Sequence, residues 1–246
     1  MVGKEIMPLI NLLLLAYNEV GTIKEEICKW ERTLHLLPTD MGYKIIVVED
    51  GSSDGTSQLL ASYHEQGRLV HLHEDKRAGY KSALIRGLKA CGGDFIFFSD
   101  TGMKNDFNDF WALYYRRDMA DLIVGRKILR KDSRFRRFLT FSLNLYLRKL
   151  FSSSVFGDVD SGFRLFNRKS RNIFLDQRLN FRGFVGCEMV LVIIRAGMKY
   201  LEVPIQYQGR KGESRGLPNR KIPRSIFYLI ADIRSFRNEN RMYNVN

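Results

Sequence analysis

Residues 43–56 read YKIIVVEDGSSDGT, a continuous apolar run that ends in two acids and a group of turn-forming residues. A run of this length without polar alternation is typical of a β-strand that is buried on both faces. Ser53 then supplies a candidate N-terminal cap for a helix over residues 54–66. The stretch therefore predicts a strand, a tight turn and a helix in succession.

The same alternation extends to both sides of this stretch. It predicts strands at residues 9–15, 43–49, 69–73, 94–99 and 120–126, and helices at 23–37, 54–66 and 82–91. Buried strands that alternate with helices predict an α/β fold with a Rossmann-like, doubly wound and mostly parallel sheet. Ligands of such sheets bind at the carboxyl ends of the strands, which are residues 16–19, 49–54 and 99–106 here.

Composition limits the class of protein. The chain has 246 residues, of which 45% are hydrophobic, so it can bury a core and a wholly disordered chain is excluded. Its net charge of +13 favours anionic partners such as nucleotides, phosphorylated lipids, nucleic acid or an acidic membrane face. The three cysteines and four histidines lack metal-ligand spacing, so a cytosolic protein with structural or surface histidines is expected. The apolar runs are too short to span a bilayer.

Positive charge is concentrated in residues 126–150, where nine Lys and Arg residues accompany one acid and alternate with aromatic and leucine side chains. A second helix is predicted from residue 222 to residue 236, with apolar residues on one side. Either segment can be an ordinary helix that packs on the core with a basic solvent side. Basic amphipathic helices also lie on anionic membrane surfaces, and this alternative stays open.

Six motifs occur in an order that resembles one enzyme family. They are LLLLAYNE (12–19), IIVVEDGSSDGT (45–56), Asp100 after the fourth strand, DVDSGFRLFNR (158–168), EVPIQY (202–207) and RKGES (210–214). Together they resemble the family-2 inverting glycosyltransferases with the GT-A fold, and among these the transferases that make dolichyl- or polyprenyl-phosphate sugars. The resemblance predicts a catalytic domain over residues 1–215, followed by an amphipathic helix and tail over residues 216–246.

The resemblance also implies a binding site for a nucleotide-sugar donor. Asp50 matches the second acid of the family's Asp-Asp-Gly-Ser turn, where it binds the base or ribose, and Glu49 replaces the first acid. The family contacts the nucleoside at the end of the first strand as well, and basic residues such as Lys81 can meet the phosphates. The predicted donor-binding residues are Ala16, Tyr17, Glu19, Asp50, Gly51, Ser52, Lys81 and Asp100.

The metal motif departs from the family. Relatives carry Asp-x-Asp after the fourth strand, often followed by Gln, and hold Mg²⁺ or Mn²⁺ there. In this chain Gly102 stands where the second Asp belongs, and Lys104 stands where the Gln would be. Either Asp100, with water or Asp106, still holds a divalent metal ion, or the Lys104 ammonium neutralises the leaving diphosphate.

On the acceptor side Asp158 matches the leading acid of a family motif and Arg164 its basic residue, so the resemblance implies catalytic roles for both. Asp160 is an additional acid beside them, and it is predicted to be catalytic together with Lys104. Glu188 matches an acidic position at the start of a later helix, and which of the three acids faces the acceptor stays open. Arg210 lies in a basic loop that, in the family, closes over the phosphates of donor and acceptor.

The nature of the acceptor follows from charge. A sugar hydroxyl needs a general base, whereas a lipid phosphate, with a second pKa of about 6, is already anionic and needs cations to bind it. The basic segment favours polyprenyl phosphate as the acceptor and the transfer of one sugar to it. The protein is then expected to be a peripheral protein at the cytoplasmic face of the membrane. Transfer to a glycan hydroxyl in surface polysaccharide synthesis, a non-enzymatic nucleotide- or nucleic-acid-binding module, and a degenerate transferase without turnover are the alternatives. Nucleic acid is the disfavoured partner, because the chain has no known nucleic-acid-binding motif.

Overall fold

The computed structural model describes residues 7–128, 134–151, 156–177, 179–209 and 222–243. Its elements in chain order are β1 (Leu9–Ala16), α1 (Val20–Leu34), β2 (Gly42–Glu49), α2 (Thr56–Glu65), β3 (Val70–Leu72), α3 (Tyr80–Ala90), β4 (Phe95–Asp100), α4 (Asp109–Tyr114), β5 (Leu122–Ile128), α5 (Arg134–Phe151), β6 (Phe163–Asn167), α6 (Arg168–Asp176), α7 (Val185–Arg195), β7 (Tyr200–Gln206) and α8 (Ile222–Tyr243). Each helix in the described ranges is too short or too polar to cross a bilayer.

Seven strands form one sheet in the order β3-β2-β1-β4-β6-β5-β7. Strand β1 pairs in parallel with β2 and β4, and β5 pairs in parallel with β7. Strand β6 runs antiparallel to its neighbours β4 and β5. The predicted α/β class with a mostly parallel sheet is confirmed, and the carboxyl ends of β1, β2 and β4 meet at one edge.

Apolar layers cover both faces of this sheet. Side chains alternate along a strand, so Leu13 joins the layer beneath α3 and α7, while Leu12 and Leu14 join the layer beneath α1 and α2. Helix α8 contributes Leu229 and Ile233 to the first layer. The C-terminal helix therefore packs on the sheet domain.

The predicted cap of α2 is wrong. The helix begins at Thr56 after Gly55, whose φ of +96° is a left-handed conformation that suits glycine. Asp54 caps this turn instead, since its Oδ1 accepts a hydrogen bond of 3.0 Å from the Thr56 amide. The Ser53 amide donates to Asn18 Oδ1 at 2.8 Å, so Ser53 helps to join this turn to the end of β1.

Candidate active site

The turns that follow β1 and β2 are joined by hydrogen bonds. Three consecutive backbone amides after β1 donate to side-chain oxygens of the turn after β2. These bonds run from Asn18 N to Ser52 Oγ at 2.8 Å, from Glu19 N to Thr56 Oγ1 at 2.8 Å, and from Val20 N to Asp54 Oδ2 at 3.2 Å. The hydroxyls and carboxylate of the GSSDGT turn thus fix the position of the first turn.

Asp50 lies at the centre of this edge. Its amide donates to the Ala16 carbonyl at 3.0 Å, and its buried carboxylate accepts bonds from the amides of Ala78 and Gly79, at 2.8 and 2.9 Å to the nearer oxygen of each. Gly51 has a φ of +70°, and a Cβ there would lie 2.5 Å from the Arg77 nitrogen, so only glycine fits. Ala16, Asp50, Gly51 and the loop before α3 are therefore brought together.

The side chains of Tyr17 and Glu19 have different environments at this edge. The Tyr17 ring stacks under the Arg77 guanidinium, whose central carbon is 4.1 Å from the ring centroid. Glu19 is buried, and its Oε2 accepts a bond of 3.0 Å from the Thr22 hydroxyl. Tyr17 and Arg77 therefore offer a flat surface at the edge, and Glu19 supports the start of α1 from below.

Asp100 ends β4 beside Lys104. The Lys104 Nζ lies 3.1 Å from Asp100 Oδ2, and the Tyr80 hydroxyl lies 3.5 Å from Oδ1. Burial alone would raise the pKa of Asp100, but the positive charges of Lys104, Lys127 and Arg164 hold it below its usual value. The carboxylate is therefore ionised at neutral pH.

A buried acid that the sequence analysis did not identify holds the turn after Asp100. Glu26 of α1 accepts bonds from the amides of Gly102 and Met103 at 2.8 and 3.4 Å, and its burial raises its pKa to about 7. Gly102 has a φ of +95°. A second acid of an Asp-x-Asp motif would be strained in that conformation, which is a structural reason for glycine here.

The carboxylates near this turn offer few metal ligands. Asp106 accepts bonds from the Asn108 amide at 2.9 Å and from Gln208 Nε2 at 3.3 Å, so it is engaged at the start of α4. Within the described residues, no set of three His, Cys or acidic ligands forms around Asp100. A divalent cation prefers several oxygen ligands, so the protein alone fits Mg²⁺ or Mn²⁺ at this position only in part.

Arg164 lies beneath the loop that carries the acceptor-side acids. Its guanidinium is buried and donates to the carbonyls of Ser161, Gly186 and Val159 at 2.6, 2.7 and 2.9 Å. A Cβ on Gly186 would clash with this guanidinium and would lie 2.8 Å from Asp160 Oδ1. Arg164 thus joins this loop, through Val159 and Ser161, to Gly186 at the start of α7.

Asp158 and Asp160 have different environments. Asp158 is buried, and its Oδ2 accepts a bond of 3.2 Å from the Lys127 amide. Asp160 is exposed at the crevice, yet the protein packed around its carboxylate removes enough water to raise its pKa to about 6. Asp160 is therefore the acid with access to a ligand and with a pKa close to neutrality.

Two further acids support neighbouring loops. Glu202 of the EVPIQY motif accepts bonds at Oε1 from the amides of Gly157 and Asp158 at 2.7 and 3.1 Å. Glu188 is buried and accepts bonds from the amides of Asn180 and Phe181, and burial raises its pKa. The geometry of both acids is that of loop supports. The sequence analysis quoted the motif of Glu202 but did not assign the residue a role.

Two cavities meet at Asp160. The first, of about 1050 Å³, lies between the start of α3 and the loop before α7 and is lined by Tyr80, Lys81, Asp100 and Arg164. Lys81 Nζ donates to the Phe181 carbonyl at 3.3 Å across this cavity. The second, of about 510 Å³, lies between α5 and α8. Its apolar lining consists of Leu139, Leu143, Tyr146, Val159, Phe184, Ile222, Ile226, Leu229 and Ile230.

The second cavity ends at charged residues. Asp158, Asp160 and Lys127 line it together with the apolar side chains, and the Lys127 Nζ lies 5.2 Å from the centroid of the Tyr207 ring. The apolar cavity thus shares the acid Asp160 with the first cavity. Arg210 and its basic loop lie outside the described residues, so the role predicted for Arg210 stays a prediction.

Comparisons with known proteins agree on the family. Residues 12–174 match the family model described as glycosyl transferase family 2. The chain is 30% identical over 222 residues to the glycosyltransferase AglD of Haloferax volcanii, covering 84% of this chain and 34% of that protein. It is 24% identical over 217 residues to a dolichyl-phosphate beta-glucosyltransferase, ALG5A, of Trichomonas vaginalis, covering 80% and 65%. The chain thus spans from a third to about two thirds of these relatives.

A solved structure is similar in fold. It is the glucosyl-3-phosphoglycerate synthase of Mycobacterium tuberculosis in complex with Mn²⁺, uridine diphosphate and phosphoglyceric acid. The TM-score is 0.70 at 20% identity, over 94% of this chain and 78% of that one. The similarity supports the GT-A architecture. The family match over residues 12–174, which is more than half of the chain, shows that the chain belongs to glycosyltransferase family 2.

Proposed function

We propose that this glycosyltransferase moves one sugar from a UDP- or GDP-sugar to a polyprenyl phosphate, with inversion at the anomeric carbon. The observation that carries the proposal is the apolar cavity between α5 and α8, which ends at Asp158 and Asp160. A polyprenyl chain is a hydrocarbon, and burying each of its CH₂ groups is favourable by about 0.8 kcal/mol. Phosphoglycerate or a soluble glycan gains nothing from such a lining.

The donor is proposed to bind along the edge formed by β1, β2 and β4. Asp50 accepts hydrogen bonds from N–H or O–H groups of the base or ribose. The backbone of Ala16, Gly51 and Ser52 borders the nucleoside. Tyr17 and Arg77 offer the flat surface against which a base can stack. The diphosphate then extends towards Lys81 and Asp100, which line the first cavity.

The charge of the diphosphate is proposed to be neutralised by Lys104. Relatives of this fold bind Mn²⁺ with UDP, and Mg²⁺ or Mn²⁺ in this chain would be held by Asp100 and by oxygens of the diphosphate. Lys104 lies 3.1 Å from the carboxylate that such an ion would use. Its ammonium is therefore the cation that this chain itself supplies to the leaving group.

The acceptor phosphate is proposed to attack the anomeric carbon from the face opposite the diphosphate. One phosphate oxygen forms the new bond to the anomeric carbon while the bond to the diphosphate oxygen breaks, and the nucleoside diphosphate leaves. No proton has to be removed, because a phosphate monoester is largely dianionic at neutral pH. Lys127 supplies positive charge near the phosphate, and Arg210 is predicted to do the same. Asp160 accepts a hydrogen bond from a hydroxyl group of the transferred sugar.

Transfer to a glycan hydroxyl is the second candidate function. The observation that favours it is the pKa of about 6 for Asp160, which suits a general base near neutral pH. In that case Asp160 removes the hydroxyl proton during attack. Transfer to a lipid phosphate needs the apolar cavity, whereas transfer to a glycan does not. A substitution in this cavity therefore distinguishes the two functions.

We expect a large aromatic side chain in the apolar cavity to impair the use of a lipid acceptor. Ile226→Trp should lower kcat/KM for a short polyprenyl phosphate by about tenfold, which corresponds to about 1.4 kcal/mol of lost interaction. The measurement uses a panel of UDP- and GDP-sugars with polyprenyl phosphate, phosphoglycerate or a soluble glycan as acceptor. Leu36→Trp, at an exposed position in the turn after α1, is the matched control.

Transfer to polyprenyl phosphate that is sensitive to Ile226→Trp and insensitive to Leu36→Trp supports the proposal. If wild type and Ile226→Trp transfer sugar to polyprenyl phosphate equally well, and circular dichroism shows that both proteins are folded, the cavity is not the binding site of the lipid chain. Transfer to a glycan and not to the lipid phosphate selects the second function.

The exposed side of α5 is proposed to rest on an anionic membrane at the cytoplasmic face. Phe138 and Phe141 are each 63% exposed on this helix, next to the basic Arg137. We expect wild type to sediment with vesicles that contain phosphatidylglycerol, and less so at high salt. The double substitution Phe138→Glu with Phe141→Glu should abolish binding to these vesicles, whereas Leu36→Glu should leave it unchanged. Equal binding to neutral phosphatidylcholine vesicles, or binding unchanged by the double substitution, contradicts the proposal.

A further inference from the structure

Three metal-ligand side chains share one face of the sheet at the ends of β2 and β3. The two strands are parallel neighbours, with Val47 opposite His71. Side chains two residues apart point to the same face, so Glu49 follows Val47 and His73 follows His71 on that face. The pairing register thus brings together residues that the sequence analysis treated separately.

The ligand atoms of this cluster are close enough for one ion. One ligand atom from each of Glu49, His71 and His73 lies within 4.8 Å of the others, and His73 Nδ1 lies 2.6 Å from Glu49 Oε2. The Glu49 side chain is fully buried. The His71 Nε2 atom is buried too, and it has no hydrogen-bond partner among the described residues. A buried imidazole nitrogen without a partner is costly unless it binds something.

We propose that Glu49, His71 and His73 form a binding site for a divalent transition-metal ion, with Zn²⁺ as the ion of this class. Two imidazoles and a carboxylate are ligands that Zn²⁺ takes in proteins, with a fourth position left to water. Ligands about 2.1 Å from a tetrahedral zinc ion lie about 3.4 Å from one another. His73 Nδ1 and Glu49 Oε2 are closer than this, at 2.6 Å, and all three ligand atoms lie within 4.8 Å of one another, so side-chain rotations would complete the site.

This site differs from the Asp100 position in chemistry and in place. Mg²⁺ prefers oxygen ligands, whereas imidazole nitrogens select Zn²⁺ and similar ions. Glu49 ends β2, His71 lies on β3 and His73 follows that strand. Glu49 also accepts a hydrogen bond from the Ser52 amide. A bound ion would therefore join the three-residue edge strand β3 to the turn that carries Asp50.

The test measures zinc binding by the full chain after removal of metals with a chelator. Isothermal titration gives the stoichiometry, and Co²⁺ absorption reports coordination by nitrogen and oxygen. The test variant is His71→Gln with His73→Gln. His64→Gln is the matched control, since His64 lies nearby on α2 with its Nδ1 3.0 Å from the Leu69 carbonyl oxygen, outside the cluster. Asp100→Asn reports any zinc held at the other position.

We expect one zinc ion per chain in wild type, His64→Gln and Asp100→Asn, and none in the double variant. Zinc at a hundred times its Kd should raise the Tm of wild type by roughly 5–10 °C and leave that of the double variant unchanged. No zinc binding by wild type, equal binding by the double variant, or loss of binding in Asp100→Asn would overturn the proposal. A double variant that fails to fold is replaced by Glu49→Gln, which keeps an acceptor for the Ser52 amide and is expected to weaken zinc binding at least tenfold.

Discussion

Lys104→Ala is expected to lower kcat by about 10²–10³-fold, the usual effect of removing one group that stabilises developing charge. The Lys104 ammonium lies 3.1 Å from Asp100 and is half-buried beside the first cavity. Negative charge develops on the diphosphate as its bond to the sugar breaks, so a cation here stabilises the transition state more than the bound donor. The Kd of the nucleotide sugar should therefore change only a few-fold. Steady-state kinetics and titration calorimetry measure the two effects separately.

Two controls separate this role of Lys104 from a general loss of positive charge. Lys44→Ala removes an exposed lysine from β2 and should leave kcat unchanged. Lys104→Arg keeps the charge and should recover part of the activity. Excess EDTA is expected to lower wild-type activity less than Lys104→Ala does. If chelation abolishes activity and added Mn²⁺ restores it, while Lys104→Ala remains active, the leaving group depends on a metal held by Asp100 and not on the lysine.

The strands with continuous apolar sequences could be predicted from the sequence. Residues 45–48 and 9–15 are apolar except for Asn11, and they form the buried parts of two parallel strands. Strands β6 and β7 were not predicted. The run FRLFN of β6 contains Arg164, a charged residue that sequence patterns place at the surface. Its guanidinium is buried because the carbonyls of Val159, Ser161 and the more distant Gly186 accept its hydrogen bonds. A proline in β7 likewise weakened the strand pattern.

The location of the candidate site could be predicted, because ligands of parallel sheets bind at the carboxyl ends of the strands. The buried acids that hold the loops of the site in place could not be predicted. Asp50 and Asp100 were predicted because each follows a buried strand directly. Glu26 bonds to a turn 76 residues away, and Glu202 bonds to a loop 44 residues away. Such contacts depend on the order of the strands, which the sequence does not specify. The one local signal was an acid among the apolar residues Ile23 and Ile27 of α1.

Gly162→Ala should reduce sugar transfer by about 10²-fold, because a displacement of about 1 Å at a catalytic group can have an effect of that size. Gly162 directly precedes β6, and its carbonyl accepts a hydrogen bond of 2.8 Å from the amide of Asp100 at the end of β4. A Cβ at Gly162 would overlap the Asp100 carboxylate and come within 2.6 Å of its Oδ1 atom. The carboxylate must then turn away from Lys104 and from the donor phosphates. Kinetics, donor titration and thermal unfolding of the purified variant measure the consequence.

The cause of this loss can be isolated by a second substitution. Gly21→Ala, on α1 with nothing within 4 Å of the added methyl group, should leave activity intact. Gly162→Ala alone should also lower the free energy of unfolding by about 1–3 kcal/mol through overpacking. Combining it with Asp100→Ala removes the overlapping carboxylate, so the stability loss caused by Gly162→Ala should be smaller in the Asp100→Ala background, while activity stays low. If Gly162→Ala lowers stability equally in both backgrounds, the added methyl group acts on the β4–β6 backbone and not on Asp100, and the role assigned to this glycine is wrong.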